Sequence, residues 1–277
     1  MKTVVVTGSF NNIQSRDIRF LEEAAKVGPL HILLWSDYAY QQIKGRKPEF
    51  PQEERQYFLE SVRYVQQVIL ADGIVSPDEI PQLDGIKPDV WVVPENEDTF
   101  SKLHFCATYE IEYFIVKEKD LAGFPILPIK DDLTSSRKKV LVTGCYDWLH
   151  SGHVRFFEET SELGDLYVVV GSDENVRLLK GEGHPLLSDD ERRYMVQSIR
   201  FVKQTMISSG SGWMDGEPEI EKIRPNFYVV NEDGDQPEKR EFCREHGLEY
   251  VVLKRIPKEG LAARQSTTLR GFYGMFS

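Results

Sequence analysis

Apolar β-rich runs alternate with amphipathic segments along the chain, and the second half shows the alternation most clearly. There, Val140–Thr143, Leu166–Val170, Thr205–Ile207, Phe227–Val230 and Tyr250–Leu253 read as strands. Helical periodicity fills 152–163, 188–203 and 237–246. In the middle segment Arg193, Met195, Val196, Ile199 and Val202 form a stripe opposite charged positions. Its start, Ser188-Asp189-Asp190-Glu191, has the spacing of a capping box and places acidic residues where a helix favours them. Strands alternating with helices imply right-handed βαβ units, so the expected fold is α/β with a parallel sheet covered on both faces. Ligands of such sheets bind at the carboxyl ends of the strands, near the topological switch point. The loops after Thr143, Val170, Val230 and Leu253 are therefore where chemistry is expected.

The same pattern is written twice. Shifted by 136 positions, Val4-Val5-Val6-Thr7-Gly8 falls on Val140-Leu141-Val142-Thr143-Gly144, and Ser36-Asp37 and Lys44-Gly45 fall on Ser172-Asp173 and Lys180-Gly181. After one inserted residue the shift is 137, and Glu54-Arg55, Phe105-Cys106 and Glu112-Tyr113 meet Glu191-Arg192, Phe242-Cys243 and Glu249-Tyr250. A self-match in one register across a domain length is the mark of duplication. The join is expected in the polar stretch Asp131 to Lys138, giving domains 1–137 and 138–277. The total of 277 residues fits two domains of ordinary size.

Charge and cysteine usage narrow the function classes. A net charge of −11 with no basic run lacks the footprint of general nucleic-acid binding, so no nucleic-acid partner is expected. Any anionic ligand must be met by local cations, helix N–H groups or a metal. Cys106, Cys145 and Cys243 are far apart and in no metal-ligand spacing, which fits a reducing, cytoplasmic setting. The opening MKTVVVTGSF reads as a strand entering a glycine turn rather than as a signal peptide. No uninterrupted apolar run approaches the ~18 residues of a membrane helix.

The chemistry concentrates after the first strand of the second copy, in Thr143-Gly144-Cys145-Tyr146-Asp147-Trp148-Leu149-His150-Ser151-Gly152-His153. Two histidines three residues apart fall on one side of the first helical turn. The helix amino end offers unpaired N–H groups and partial positive charge, and Gly152 lets a ligand approach the backbone.

This segment resembles the HxGH signature of the nucleotidyltransferase superfamily, and more narrowly that of the cytidylyltransferases making CDP-alcohols. Lys180-Gly181, Glu191-Arg192-Arg193-Tyr194-Met195-Val196, Arg200-Phe201-Val202 and Ser266-Thr267-Thr268 follow in the order those enzymes have them. The tandem arrangement is most similar to that of ethanolamine-phosphate cytidylyltransferases. The resemblance implies two tandem Rossmann-like domains. It also implies transfer of CMP from CTP to a small phosphorylated alcohol or phosphosugar, with release of pyrophosphate. By the same resemblance, His150 and His153 would donate hydrogen bonds to the triphosphate and Lys180 would bridge acceptor phosphate and α-phosphate. Ser266, Thr267 and Thr268 would cradle the β- and γ-phosphates. Thr143, Gly144, Cys145 and Tyr146 would pass under the nucleotide, with Asp147 fixing the turn or approaching a metal. Asn231, Glu232 and Asp233 would lie near ribose and base, Arg192 would contact the nucleotide, and Mg²⁺ would neutralise the leaving pyrophosphate. Trp213, in a Gly-Ser-Gly-Trp loop, reads equally as a base-stacking residue or as loop packing.

The first copy departs from the signature. Gln14, Arg16 and Asp17 stand where the second has His150, Gly152 and His153, and Thr134-Ser135-Ser136 only partly keeps the cradle. An aspartate beside a polyphosphate is repulsive, so the first copy is expected to be silent. The resemblance to cytidylyltransferases, which dimerise through this domain, implies that it serves as an intramolecular pseudo-dimer partner. The second copy departs too, with Lys203 for an aspartate, Asn231 for a glycine and extra residues between Gly260 and Ser266. These changes are expected near the base and acceptor sites. The alternatives are a same-fold adenylyltransferase using ATP on a phosphosugar or cofactor precursor, and a non-catalytic nucleotide sensor.

Overall fold

A computed structural model describes residues 2–73, 76–81, 86–127 and 136–269. Two compact units emerge, Met1–Phe124 and Pro125–Ser277. The Pro125 carbonyl, at the start of the second unit, accepts a hydrogen bond from Gln197 Nε2 at 3.3 Å. Most of the expected join, including Thr134 and Ser135, lies outside the described residues.

The first unit runs β1 (Val4–Gly8), α1 (Ser15–Ala25), β2 (Leu30–Trp35), α2 (Asp37–Lys44), α3 (Gln52–Glu60), β3 (Val65–Ala71), β4 (Val90–Pro94), α4 (Phe100–Thr108) and β5 (Glu112–Val116). The second runs β6 (Lys139–Gly144), α5 (Ser151–Leu163), β7 (Asp165–Val170), α6 (Asp173–Lys180), α7 (Asp189–Gln197) and β8 (Val202–Ile207). It continues with α8 (Glu217–Ile223), β9 (Phe227–Asn231), α9 (Pro237–Glu245), β10 (Glu249–Leu253) and α10 (Ser266–Leu269). Both sheets are five-stranded and parallel, ordered β3-β2-β1-β4-β5 and β10-β9-β6-β7-β8, so each reverses direction of winding beside its first strand. This is the expected α/β, Rossmann-like architecture, in two domains.

The burial pattern explains why these runs became central strands. Val4, Val5 and Val6, like Val140, Leu141 and Val142, are wholly buried, because helices cover both faces of each sheet. In the second unit Leu141, Val169, Tyr228 and Val230 pack with Ile220, Phe242 and Cys243 to form one side of the core. Cys106 and Cys243 are buried as free thiols. Among the described residues no helix is long and apolar enough to cross a membrane.

Two neighbouring elements differ from their expected spans. The helix expected over 188–203 ends at Gln197, and β8 begins at Val202. The last turn tightens: Ser198 Oγ donates to the Met195 carbonyl at 2.6 Å, and the Ile199 and Val202 amides reach the Val196 and Ile199 carbonyls. Apolar positions at 196, 199 and 202 carry a three-residue spacing straight through this turn into the strand, imitating continued helix. At the other end Ser188 Oγ does accept from the Glu191 amide, at 3.3 Å.

Candidate functional site

The carboxyl ends of β6 and β9 flank a cleft of about 510 Å³. Thr143, Gly144, Cys145, Tyr146, Asp147, Gly152, His153, Lys180, Asn231, Asp233 and Ser266 all line it. Eleven of the residues singled out from the sequence thus converge where a doubly wound sheet leaves its crevice. Glu232 lines an adjoining cavity of about 250 Å³, which shares Gly152, Phe156, Asn231, Arg255 and Gln265 with the cleft.

The histidines are set by the start of α5. His150 is its N-cap: the Gly152 amide donates to His150 Nδ1 at 3.1 Å. A neutral imidazole accepting at Nδ1 carries its proton on Nε2. That atom is buried and has no hydrogen-bond partner in the protein. A Cβ at Gly152 would sit 3.0 Å from His150 Nδ1 and Cε1, so any larger residue presses on the capping ring. His153 stacks on His150 with ring centroids 3.9 Å apart, and its Nδ1 is likewise unpartnered. Gly144 is equally constrained, because a Cβ would meet the Tyr146 ring at 2.7 Å.

Both imidazoles are held neutral. Burial, then the Arg255 and Arg264 charges, pushes His150 down to about 3 from its usual 6.5. Burial and then His150, Arg255 and Lys180 hold His153 well below the ordinary histidine range. Between about pH 3 and 6.5 the folded state binds fewer protons at His150 than the unfolded chain, so its stability contribution falls as pH drops through that window and is constant above it. His150→Asn, which keeps a cap acceptor, is expected to show a smaller loss of stability between pH 7 and 5 than the wild type in urea unfolding. An equal loss would remove His150 as the source.

Lys180 ends α6 at the cleft rim, exposed, and among the described residues has no carboxylate partner. Asp147 is buried, and its Oδ1 accepts from the Leu186 and Leu187 amides at 2.6 and 3.1 Å. It therefore fixes the loop before α7. Thr143 Oγ1 is 2.8 Å from the Tyr228 hydroxyl. Ser266 Oγ lies 3.4 Å from the Trp148 carbonyl, while the Thr267 and Thr268 side chains are outside the described residues.

Arg192 is a correction. It is fully buried and lines neither cavity. Its guanidinium donates to the Leu187 carbonyl (3.0 Å), the Cys145 carbonyl (2.7 Å) and Asp173 Oδ1 (2.6 Å). Arg55 repeats the arrangement in the first unit, donating to the Phe50, Ser9 and Trp35 carbonyls and to Asp37. A residue making the same bonds where the histidines are missing is part of the scaffold. Lys203 is a second correction: it pairs with Asp165 at the amino end of β7, remote from the strand ends that carry the cleft. Trp213 lines a separate shallow groove with Pro237, Glu238 and Phe242 rather than the cleft.

With this geometry the relatives are informative. Residues 141–275 match the cytidylyltransferase-like family. The FAD synthase of Aciduliprofundum boonei is 37% identical over 125 residues, covering 44% of this chain and 80% of that protein. The chain belongs to the cytidylyltransferase-like family. It is thereby a nucleotidyltransferase. The bifunctional protein HldE of Vibrio cholerae is 39% identical over 127 residues, 45% of this chain and 25% of that protein. The crystal structure of a lipopolysaccharide core biosynthesis protein from Thermoplasma volcanium covers 45% of this chain and 100% of its own, at 20% identity and a TM-score of 0.38.

Several residues of this cytidylyltransferase-like cleft were given no specific role from the sequence. Arg255 lines both cavities, pairs with Asp233 and donates to the Arg264 carbonyl at 3.0 Å. Its place directly after the fifth strand of the unit, at the carboxyl edge, was the available signal. The extra residues Leu261 to Gln265 wall the smaller cavity, so the insertion enlarges the site. Lys239 was less findable: its Nζ donates to the Gly234 carbonyl at 3.0 Å, as Lys102 does to Glu97 in the first unit.

Among the described residues no three metal-ligating side chains gather. A cage built by the protein does not fit this donor set. Mg²⁺ keeps much of its water and favours phosphate oxygens over cages built wholly of protein side chains.

Proposed function

We propose that the second unit transfers the nucleoside monophosphate of a nucleoside triphosphate to the phosphate of a small acceptor. The carrying observation is the buried Nε2 of His150, which faces no protein acceptor at the amino end of α5. An acceptor phosphate oxygen attacks the α-phosphorus, and the bond to the β-phosphate breaks. Pyrophosphate leaves with the electron pair, so the site needs positioning and charge stabilisation more than a base. His150 and His153 donate to the charged phosphate oxygens, Lys180 bridges acceptor and α-phosphate, and Ser266, Thr267 and Thr268 hold the outer phosphates. The triphosphate enters as its Mg²⁺ complex.

ATP is the donor we favour. The relative covered over 80% of its length is named for a product, FAD, that contains an adenylate joined through a pyrophosphate bridge. CTP, the donor implied by the sequence resemblance, is the second reading.

The first unit is read as silent. At the start of α1 the Asp17 carboxylate already accepts from the Gln14 amide at 2.8 Å, and Arg16 is paired with Glu118. The position a phosphate would take is held by the chain's own carboxylate.

Pyrophosphate release across the four nucleoside triphosphates, each with FMN, glycerol 3-phosphate, phosphoethanolamine and sugar 1-phosphates, tests the reading. Release is expected with ATP and at least one of these acceptors. Release with CTP alone moves the assignment to cytidylyl transfer, and release from no pair overturns it. Calorimetry with ATP is expected to give one site per chain; two would make the first unit active in binding.

A further inference from the structure

Tyr146 carries a hydroxyl that the reading above does not use. Its ring has a structural task in both units. Phe10 and Tyr146 share the left-handed backbone, with φ of 45° and 53°, and lay their rings over the glycine that ends the first strand. A Cβ on Gly8 would meet Phe10 Cε2 at 3.2 Å, and one on Gly144 would meet Tyr146 Cζ at 2.7 Å. Phenylalanine suffices for that task in the first unit, so the oxygen is what the second unit adds.

The added oxygen is buried and makes no hydrogen bond within the protein. Burying an unpaired hydroxyl costs stability that phenylalanine would not. Tyr146 nonetheless lines the cleft, and its ring meets His153 edge-on with centroids 5.3 Å apart. His150 Nε2, on the ring that stacks against His153, is another buried donor without a partner in the protein. Tyr228, by contrast, has its hydroxyl 2.8 Å from Thr143 Oγ1. Burial holds the Tyr146 phenol above its ordinary range, so it stays a donor at neutral pH. Unpaired neutral donors with the Lys180 ammonium at the rim complement an oxygen-rich anion.

We propose that the Tyr146 hydroxyl donates a hydrogen bond to a phosphoryl oxygen of the bound substrates, adding a binding group to this site that its counterpart Phe10 cannot supply. The proposal rests on the nucleotidyl-transfer reading.

Tyr146→Phe tests it, because Phe10 shows that the fold accepts the deoxygenated ring. The unliganded variant is expected to melt at or above the wild-type temperature, since an unpaired buried hydroxyl is removed. With the wild type's most active triphosphate–acceptor pair, kcat/KM is expected to fall about tenfold, the size of one hydrogen bond to a charged group. A raised acceptor KM places the bonded oxygen on the acceptor phosphate, and a raised triphosphate KM places it on the nucleotide. A fall in kcat alone places it on the transferring phosphoryl group. Values of kcat and both KM within twofold of wild type overturn the proposal, whatever the melting temperature. If the wild type itself releases no pyrophosphate, the functional reading fails separately. The hydroxyl is then judged by thermal stabilisation on adding ATP and, separately, each acceptor phosphate: a smaller shift in Tyr146→Phe with any of them supports it, and equal shifts with all of them overturn it.

Discussion

His150→Asn is expected to lower kcat for nucleotidyl transfer by about 10²–10³-fold, the usual loss when one preorganised donor to a charged centre is removed. The choice of asparagine matters. Its Oδ1 can replace Nδ1 as acceptor for the Gly152 amide, so the cap of α5 survives while the Nε2 donor is lost. His150→Gln does the reverse, placing an amide near Nε2 and giving up the cap. Glutamine is therefore expected to retain more turnover and less stability than asparagine. Steady-state pyrophosphate release and thermal melting on both variants check this. If the two variants lose activity in proportion to stability, His150 is a cap and nothing more. His153→Ala is expected to match the loss in kcat, because the stacked pair presents its free ring atoms together.

Arg192→Met is expected to destabilise the second unit by about 3 kcal/mol or more, with kcat per folded molecule retained. Asp173 is about one-third exposed, so its share of this loss is small. The larger part comes from the Leu187 and Cys145 carbonyls, which lose their buried donor. Arg55→Met should produce the same loss in the first unit, since the Phe50, Ser9 and Trp35 carbonyls depend on it in the same way. Urea unfolding of both variants measures the cost. A stable Arg192→Met protein with weakened triphosphate affinity would return Arg192 to the nucleotide site.

Much of the scaffold was legible because its signals are local. The runs at 140–143, 166–170, 227–230 and 250–253 became strands within a residue at each boundary, since buried parallel strands are written as near-continuous apolar segments. Helices α6 and α8 were missed. Helix α6 spans eight residues and α8 seven, too few for a stripe to stand out. The end of α7 was misread because a three-residue apolar spacing continues through a turn into β8.

The candidate site divides in the same physical way. Sequence alone identified His150, Gly152 and His153, since adjacency along the chain puts them on one helical turn wherever that helix sits. It also located Gly144 and Asn231 at strand ends, because parallel topology brings those ends to one edge, while Lys180 came from the family resemblance alone. Only the tertiary structure decided which polar atoms were spoken for. Arg192 looked like a ligand group, and Lys203 was expected near the base and acceptor sites, until their carbonyl and carboxylate partners were in place. The unpaired Tyr146 hydroxyl and His150 Nε2 became visible by the same accounting. Chain order fixes what a residue can donate or accept; what remains free for a substrate depends on long-range packing that no local pattern records.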